Sequence, residues 1–478
     1  MNNEIIGRAD EQAILKELLA HNKSDLLAVY GRRRVGKTYL IKTYYKKEII
    51  FECSGAVEAT TSQQLNNFAV QFFRYFKTRK AVKIANWQEA FFMLETALKK
   101  IKSKRKKILF FDELPRLDTH KSGFLPAFSY WWNMYGSQRS DLLVVICGSS
   151  ASWMINKIVN HKGSLHNRIT QRIRLLPFTL KETEAYMQYK KVQLTRYQIV
   201  QLYMVLGGVP QYLNGLERGK SVAQNINKTC FTKDGLMANE FQNLYVSLFN
   251  NPEKHLHVTK LLSQKIKGLT RSEIVKSSAK LSSGGGISKV LEELTESGFI
   301  DKIIPFRKKV KDTVYRLSDE YTMFYLKFMD HNIKGSDGWQ QVVASNAFNI
   351  WCGYAFEGIC IKHINAIKRK LGIAGVYTEQ SSWRLHGSKN NKGAQVDLLI
   401  DRKDGCINLC EIKFSNNVFE LSRAYAAALD EKKRILKSHT KTRKSVFTTM
   451  ITTFGVAGNQ YKAQQIDSEI ILDDLFRK

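Results

Sequence analysis

Short, unbroken apolar runs punctuate the first third of the chain: Leu26-Leu27-Ala28-Val29-Tyr30, Ile108-Leu109-Phe110-Phe111 and Leu142-Leu143-Val144-Val145-Ile146-Cys147. Runs of this length without polar alternation suit strands buried on both faces of a parallel sheet. A helix-like stretch follows from Tyr39, and Ile173 to Phe178 reads as a further strand. Further along, the spacing turns helical. His255 to Ile266 forms one such stretch, and a second starts at Thr270, whose hydroxyl with Glu273 three residues on makes a capping box. A third, with apolar Ile287, Val290, Leu291 and Leu294, ends at Gly298. Two strand-like segments, 299–304 and 312–317, come next, and two more, 396–401 and 407–413, are joined by a turn at 402–405. The pattern predicts an α/β chain with three parts: 1–235, a parallel sheet with a helical lid; 236–330, three helices and a hairpin; and 331–478, a further α/β domain.

Length agrees, since 478 residues exceed what one hydrophobic core holds. Six prolines and no Gly/Ser-rich linker imply short joints. No run of about 18 uncharged apolar residues occurs, so no membrane span is expected. The opening residues lack the basic start and apolar stretch of a secretory signal. Seven scattered cysteines, with Cys406 and Cys410 poorly spaced for zinc, read as reduced thiols of a cytoplasmic protein. Charge changes the picture more. A formal net charge of +32 favours a polyanionic partner, with nucleic acid, DNA above all, the natural candidate; a Lys-rich surface from a biased genome is the other reading.

The first apolar run leads into Gly31-Arg32-Arg33-Arg34-Val35-Gly36-Lys37-Thr38, which fits G-x-x-x-x-G-K-[ST] between a strand and a helix. The glycines let the backbone wrap closely enough for N–H groups to face phosphates. Lys37 is placed to reach the β- and γ-phosphates of ATP, and the Thr38 hydroxyl to ligate Mg²⁺. The second run ends in Asp112-Glu113, and an acid at a strand's carboxyl end sits where ligands bind in this architecture. Asp112 is the candidate metal support and Glu113 the candidate for polarising the attacking water. The third run ends in Gly148-Ser149-Ser150, where Ser149 could contact the γ-phosphate or serve as a plain helix cap. Arg168 is the candidate arginine finger, in cis or from a neighbouring subunit; a structural or solvated arginine reads the same way.

Ile6-Gly7-Arg8 with Glu11, the Gly-Arg-Arg-Arg-Val-Gly-Lys-Thr loop, Phe111-Asp112-Glu113, Cys147-Gly148-Ser149-Ser150 and Gly207-Gly208-Val209-Pro210-Gln211-Tyr212 together resemble a prokaryotic AAA/STAND-type ATPase family over roughly residues 1–230. The resemblance implies a sensor role at Ser149 and a helical-lid motif at Gly207, Gly208 and Pro210, while Asn167 stands where the family has glycine before the finger-like arginine. Residues from about 255 to 320 resemble a winged helix-turn-helix, with Arg307, Lys308, Lys309 and Lys311 at the wing tip, either for a phosphate backbone or as a solvated hairpin.

In the last part, Glu411 and Lys413 fall on one face of an alternating strand, and hairpin pairing can bring Asp397 beside them. Two carboxylates and a lysine at one point suit a divalent metal with a cation to assist water, although such a trio on a ribbon is also an ordinary ion-pair ladder. Asp397-x(13)-Glu411-x-Lys413 resembles the PD-(D/E)xK nuclease core, with Glu357 as the first-helix acid and Gln395, not proline, two residues before the Asp. The whole resembles prokaryotic ATPases with a C-terminal domain of the DUF234 type, which implies a restriction-endonuclease-like α/β fold and Mg²⁺-dependent DNA cleavage. A signalling or regulatory ATPase with a non-catalytic DNA- or protein-binding scaffold is the other reading, and a homo-oligomeric ring a third. The basic runs 99–107 and 432–444 could steer nucleic acid, or could be solvated faces.

Overall fold

In a computed structural model, the described residues are 4–77, 83–101, 105–159, 167–249, 251–277, 285–330, 338–387 and 393–477. The basic run at 99–107 and the serine- and glycine-rich run at 282–286 therefore fall partly outside them. Backbone contacts divide the chain into two units: Met1–Pro177 with Ser247–Asn250, and Phe178–Val246 with Asn251–Lys478. The helices over 178–235, read from the sequence with the ATPase core, thus fall in the second unit.

Unit 1 is built on five strands: β1 (Asp25–Tyr30), β2 (Ile49–Ser54), β3 (Lys107–Asp112), β4 (Leu142–Gly148) and β5 (Gln171–Arg174). They lie in the order β2-β3-β4-β1-β5 and all neighbours pair in parallel. Side chains alternate across the sheet with period two, so each apolar run feeds two cores at once. Leu26, Ala28, Leu109, Phe111, Val144 and Ile146 face an aromatic-rich layer formed with the helices Thr61–Phe76, Trp87–Lys99 and Phe124–Met134. Leu27, Val29, Ile108, Phe110, Val145 and Cys147 face the layer that contains Leu15, Leu40 and Ile41 of the helices Ala9–Ala20 and Lys37–Tyr44. Burying each such side chain contributes about 1.5–3 kcal/mol, which is why strands with unbroken apolar runs form the centre. The strand expected over 173–178 ends instead at Arg174, opposite Tyr30, where its partner β1 itself ends.

Unit 2 begins with helices, among them Leu180–Tyr189, Arg196–Leu206 and Pro210–Asn214. Gly207 has φ 64° and ψ −172°, a conformation open in practice only to glycine. A Cβ on Gly208 would lie 1.9 Å from the Phe178 carbonyl oxygen. The Gly-Gly pair is thus explained by backbone packing.

The helices Pro252–Gln264, Arg271–Lys276 and Gly285–Glu296 follow, with a sheet of β6 (Leu269–Thr270), β7 (Ile300–Ile303) and β8 (Val314–Leu317) in the order β6-β8-β7. Thr270 and Glu273 form the expected capping box, and Gly298 closes the third helix with φ 77°.

The last sheet is mixed, in the order β13-β12-β11-β10-β9, from β9 (Thr378–Leu385), β10 (Ala394–Arg402), β11 (Cys406–Lys413), β12 (Ser445–Thr452) and β13 (Ser468–Ile471). β9, β10 and β11 are antiparallel neighbours, whereas β11, β12 and β13 run parallel. The helices Asn346–Lys362 and Arg423–Thr440 pack against it.

Candidate functional site

The loop between β1 and the helix Lys37–Tyr44 is shaped by three positive-φ residues: Gly31 (145°), Arg34 (72°) and Gly36 (91°). A Cβ on Gly31 would lie 2.3 Å from the Leu175 carbonyl oxygen, so glycine is required there by close approach as well as by φ. Lys37 is buried, 6% exposed, and its ammonium donates to the carbonyls of Gly31 (2.9 Å) and Arg32 (3.0 Å). Among the described residues no carboxylate lies within ion-pair distance of it, and burial lowers its pKa against the opposing charges of Glu113 and Asp112. Arg8 reaches the same loop, donating to the Val35 carbonyl at 3.1 Å, and is itself 5% exposed. Sequence reasoning placed Arg8 only in a signature, and no local spacing announces that contact.

β4 lies between β1 and β3, so Gly148-Ser149 at its end stands between the loop and the acids. The Thr38 hydroxyl donates to Asp112 Oδ2 at 2.8 Å, and the Glu113 N–H to Asp112 Oδ1 at 3.1 Å. Burial raises the Asp112 pKa, with the Thr38 hydrogen bond working against it. Glu113 sits at φ 46°, ψ 48°, the left-handed region. Its Oε2 accepts from the Ser149 hydroxyl at 2.8 Å and from the Ser149 N–H at 3.3 Å. Ser149 thus contacts the neighbouring acid, a role that neither of its two sequence readings named. Arg32, Arg33, Arg34 and Val35 complete the loop, with Arg32 and Val35 buried.

Arg168 requires a correction. The Thr170 N–H bonds to the Leu26 carbonyl and Gln171 pairs with Leu27, so Arg168 enters at the amino end of the sheet. The loop leaves the opposite end, five residues further along β1, about 16 Å at the parallel-strand rise. Arg168 is exposed and cannot serve the loop of its own chain. At the loop end of the same strand, Arg174 pairs with Tyr30 instead.

In unit 2 the hairpin forms as expected, with Leu398 opposite Cys410 and Asp401 opposite Ile407; the ladder stops there, one residue short of Asp397 and Glu411, and β10 shifts register against β9 between Val396 and Leu399. Asp397 accepts from Gln395 at 2.7 Å, and Gln395 in turn meets Lys267. Glu411 is 3% exposed. It accepts from the Tyr425 hydroxyl (2.5 Å) and Lys432 (2.7 Å), with Lys413 at 3.3 Å. Burial pushes its carboxyl up, but the two lysines outweigh that and hold it below the usual range. Glu357, on the helix Asn346–Lys362, is pushed up to about 8 by burial and by Asp397 beside it, while Arg316 and Lys413 pull the other way. The helix acid, both hairpin acids and the lysine are therefore electrostatic neighbours. Among the described residues, however, no three His, Cys, Asp or Glu side chains are disposed to hold a metal ion. Glu411 is engaged by cations and a phenol, so the expected set Glu357, Asp397 and Glu411 is not a ready metal cage.

Sequence reasoning missed Tyr425 and Lys432. The run 432–444 is no plain solvated face, since Lys432, Lys433, Arg434 and Lys444 all pair with acids. The seven cysteines are free thiols. No helix of the described residues is long and apolar enough to cross a membrane.

A parallel sheet with β4 between the loop strand and the acid strand, and a glycine-spaced loop closing on a buried lysine, define a P-loop ATPase. Residues 6–216 match the family model of an ATPase domain predominantly from Archaea, so the chain carries an archaeal-type ATPase domain. The chain is similar to the protein MJECL04 of Methanocaldococcus jannaschii, 22% identical over 417 residues, which cover 86% of this chain and 88% of that one. It is 41% identical over 49 residues to the ATP-binding protein MJ0423 of the same organism, covering 10% of this chain and 83% of that one. Among solved structures it is similar to the Walker-type ATPase PABY2304 of Pyrococcus abyssi, at 16% identity and a TM-score of 0.49, over 68% of this chain and 97% of that one.

Proposed function

We propose that the chain is a Mg²⁺-dependent ATP hydrolase whose second unit binds nucleic acid. One observation carries the nucleotide reading: Lys37 is a buried ammonium bonded, among the described residues, only to carbonyls of the loop it closes, beside a hydroxyl–carboxylate pair, Thr38 and Asp112. An ammonium so placed is a cradle for an anion. The adjoining oxygens are the ligand type Mg²⁺ takes, so the donor set fits the metal. Mg²⁺ held there would neutralise charge on the β- and γ-phosphates.

In this reading Lys37 binds the terminal phosphates and the loop N–H groups from Gly31 to Gly36 wrap them. Thr38 and Asp112 would hold the metal. Glu113 orients the attacking water, and Ser149 fixes that carboxylate by the two hydrogen bonds described. Arg168, at the far end of the sheet, acts on the site of a neighbouring copy in a homo-oligomer. The net charge of +32 supports the nucleic-acid part of the proposal.

A second reading, DNA cleavage at Asp397, Glu411 and Lys413 with Glu357, is favoured by the β10–β11 hairpin that carries three of them and by the electrostatic influence of Asp397, Glu411 and Lys413 on Glu357. It needs Glu411 released from Lys432 and Tyr425, and we derive no metal-dependent step there. The division 1–235, 236–330 and 331–478 goes with this reading as the functional partition.

The test is direct. ATP turnover with Mg²⁺ is measured with and without single- and double-stranded DNA, in wild type and Lys37→Ala. Turnover that disappears with Lys37→Ala supports the ATPase assignment of the loop, and unchanged turnover refutes it. In the same preparation, Mg²⁺-dependent nicking that Glu411→Ala removes supports the second reading. DNA binding without nicking leaves the scaffold.

A further inference from the structure

The hairpin β7–β8, read from sequence as a wing whose basic tip suits a phosphate backbone or is a solvated hairpin, is not free to act as a groove-reading wing. The Phe306 N–H donates to the Ser382 carbonyl of β9 at 2.9 Å, and the Phe306 ring packs on the cluster that contains Trp383, Val396 and Leu409. A wing stapled by its own aromatic cannot protrude into a groove as a duplex reader requires. What it makes instead is one wall of a cleft of about 1010 Å³, whose other wall is β9 and β10 with Asp397 among the lining residues.

The charges on the two walls differ. Lys302, Arg307, Lys308 and Lys309 line the cleft from the wing side, and none has an ion-pair partner among the described residues. Arg307, Lys308 and Lys309 are exposed. The lining cations elsewhere are already engaged: Lys362 pairs with Glu320 and Lys444 with Asp401. Acids on the facing wall include Glu379 and Asp397. A polyanion in the cleft would therefore be gripped along the wing wall only. Between the cations lie apolar surfaces, Ile304 at 43% and Val310 at 76% exposure, with the Arg307 guanidinium over the Phe306 ring at 5.5 Å. Cations interleaved with apolar and π surface suit unpaired bases on a backbone.

Deeper in, the wing sends one more cation toward the acids. Arg316 of β8 acts on Glu357, and its Nε is buried without a hydrogen-bond partner.

We propose that this cleft binds a single-stranded nucleic acid a few nucleotides long, its phosphates along Arg307, Lys308 and Lys309 and its path leading to Asp397. The volume lies at the top of the range for ligand pockets, about 300–1,000 Å³. That admits an extended strand and not the breadth of a double helix. The proposal rests on the nucleic-acid reading above and deepens it by naming the site and the strandedness.

Fluorescence anisotropy of labelled 12-nucleotide DNA and RNA strands, and of the matching duplex, tests it on the full chain over a salt series. Wild type is expected to bind the single strands more tightly than the duplex. R307A/K308A/K309A is expected to weaken single-strand binding at least tenfold. Its slope of log affinity against log salt should be shallower by about 2, from roughly 0.7 for each single-strand phosphate that is no longer neutralised. The charge-keeping R307K/K308R/K309R should restore both, and an unchanged thermal midpoint in the alanine variant shows that it folds. A DNA or RNA preference identifies which sugar the cleft accepts. Wild-type binding that the alanine variant leaves unaltered, or a duplex preference, overturns the cleft and leaves the nucleic-acid reading standing. No binding of any nucleic acid by wild type overturns both.

Discussion

Arg168 gives the sharpest prediction, because the sheet forbids one of its two roles. It lies two residues before Thr170, which joins the sheet at the level of Leu26, itself five residues short of Gly31, about 16 Å along a parallel strand. An arginine side chain does not span that gap, so any transition-state contact must be made on another copy. A finger of this kind is worth about 10³–10⁵ in turnover. Arg168→Ala should accordingly lower ATP turnover by at least about 10³, with nucleotide affinity little changed. Lys37→Ala removes the phosphate grip but still offers its own Arg168. In an equal mixture, a site works only if it belongs to an Arg168→Ala subunit and receives its arginine from a Lys37→Ala neighbour. The chance is one half for each, so about a quarter of wild-type turnover should return. That fraction is the same for a dimer and for a ring. The assay is steady-state phosphate release after the two inactive proteins are mixed under exchanging conditions. Arg168→Ala with the wild-type rate would show that no finger resides there. A large loss that mixing never rescues would sink the trans geometry.

Glu113→Gln keeps the shape and removes the base, so turnover should fall about 10²–10⁴-fold, with ATP affinity by equilibrium dialysis within a few-fold of wild type; loss of binding would assign Glu113 to the grip instead. Gly208→Ala places a Cβ 1.9 Å from the Phe178 carbonyl and disturbs the Phe178 N–H to Gly208 carbonyl bond. Urea unfolding should show a loss of more than about 3 kcal/mol, and a neutral result would mean the backbone approach is not as close as described. His363 is buried as a neutral ring whose Nε2 accepts from the Leu180 N–H (2.9 Å) while Nδ1 meets the Ile359 carbonyl (2.8 Å), and burial lowers its pKa to about 4. The unfolded chain binds this proton near 6.5 and the folded chain only near 4. Its stabilising share is thus present above pH 6.5 and lost as pH falls through 4. The thermal midpoint of wild type should decline between pH 6.5 and 4 more steeply than that of His363→Asn, and parallel curves would refute the assignment.

The parallel sheet was legible because its central strands carry unbroken apolar runs, with polar residues only at the ends of β1 and β3, so an apolar run alone marked them. The loop was legible because glycine and lysine at fixed spacing have no common structural use. β2 escaped notice: Ile49–Ser54 is an edge strand with Glu52 in its middle and lacks the unbroken run of its neighbours. The hairpin of Asp397 and Glu411 followed from strand alternation. The partners of Glu411, Tyr425 and Lys432, come from a helix that starts ten residues beyond the strand, and no spacing rule reaches them. Arg168 was left open between cis and a neighbouring subunit because a sequence shows that a strand follows without showing which end of the sheet it enters. The wing was recognised, but its anchoring by Phe306 depends on β9, a strand whose polar residues gave it no apolar signature.

Tyr197, on the helix Arg196–Leu206, stacks on Phe414 at an interplanar angle of 7° and donates to Asn416 at 2.7 Å. The family match extends through residue 216, so this helix is counted with the ATPase domain although its partners lie two hundred residues later. A protein trimmed at 216 would keep the phosphate loop intact and shed Phe414 and Asn416, leaving Tyr197 without its stack. Modularity by sequence thus parts from modularity by physics here. Any recombination that swapped the C-terminal half for a foreign one would have to supply a new seat for that aromatic, so the two halves are expected to be inherited as a pair.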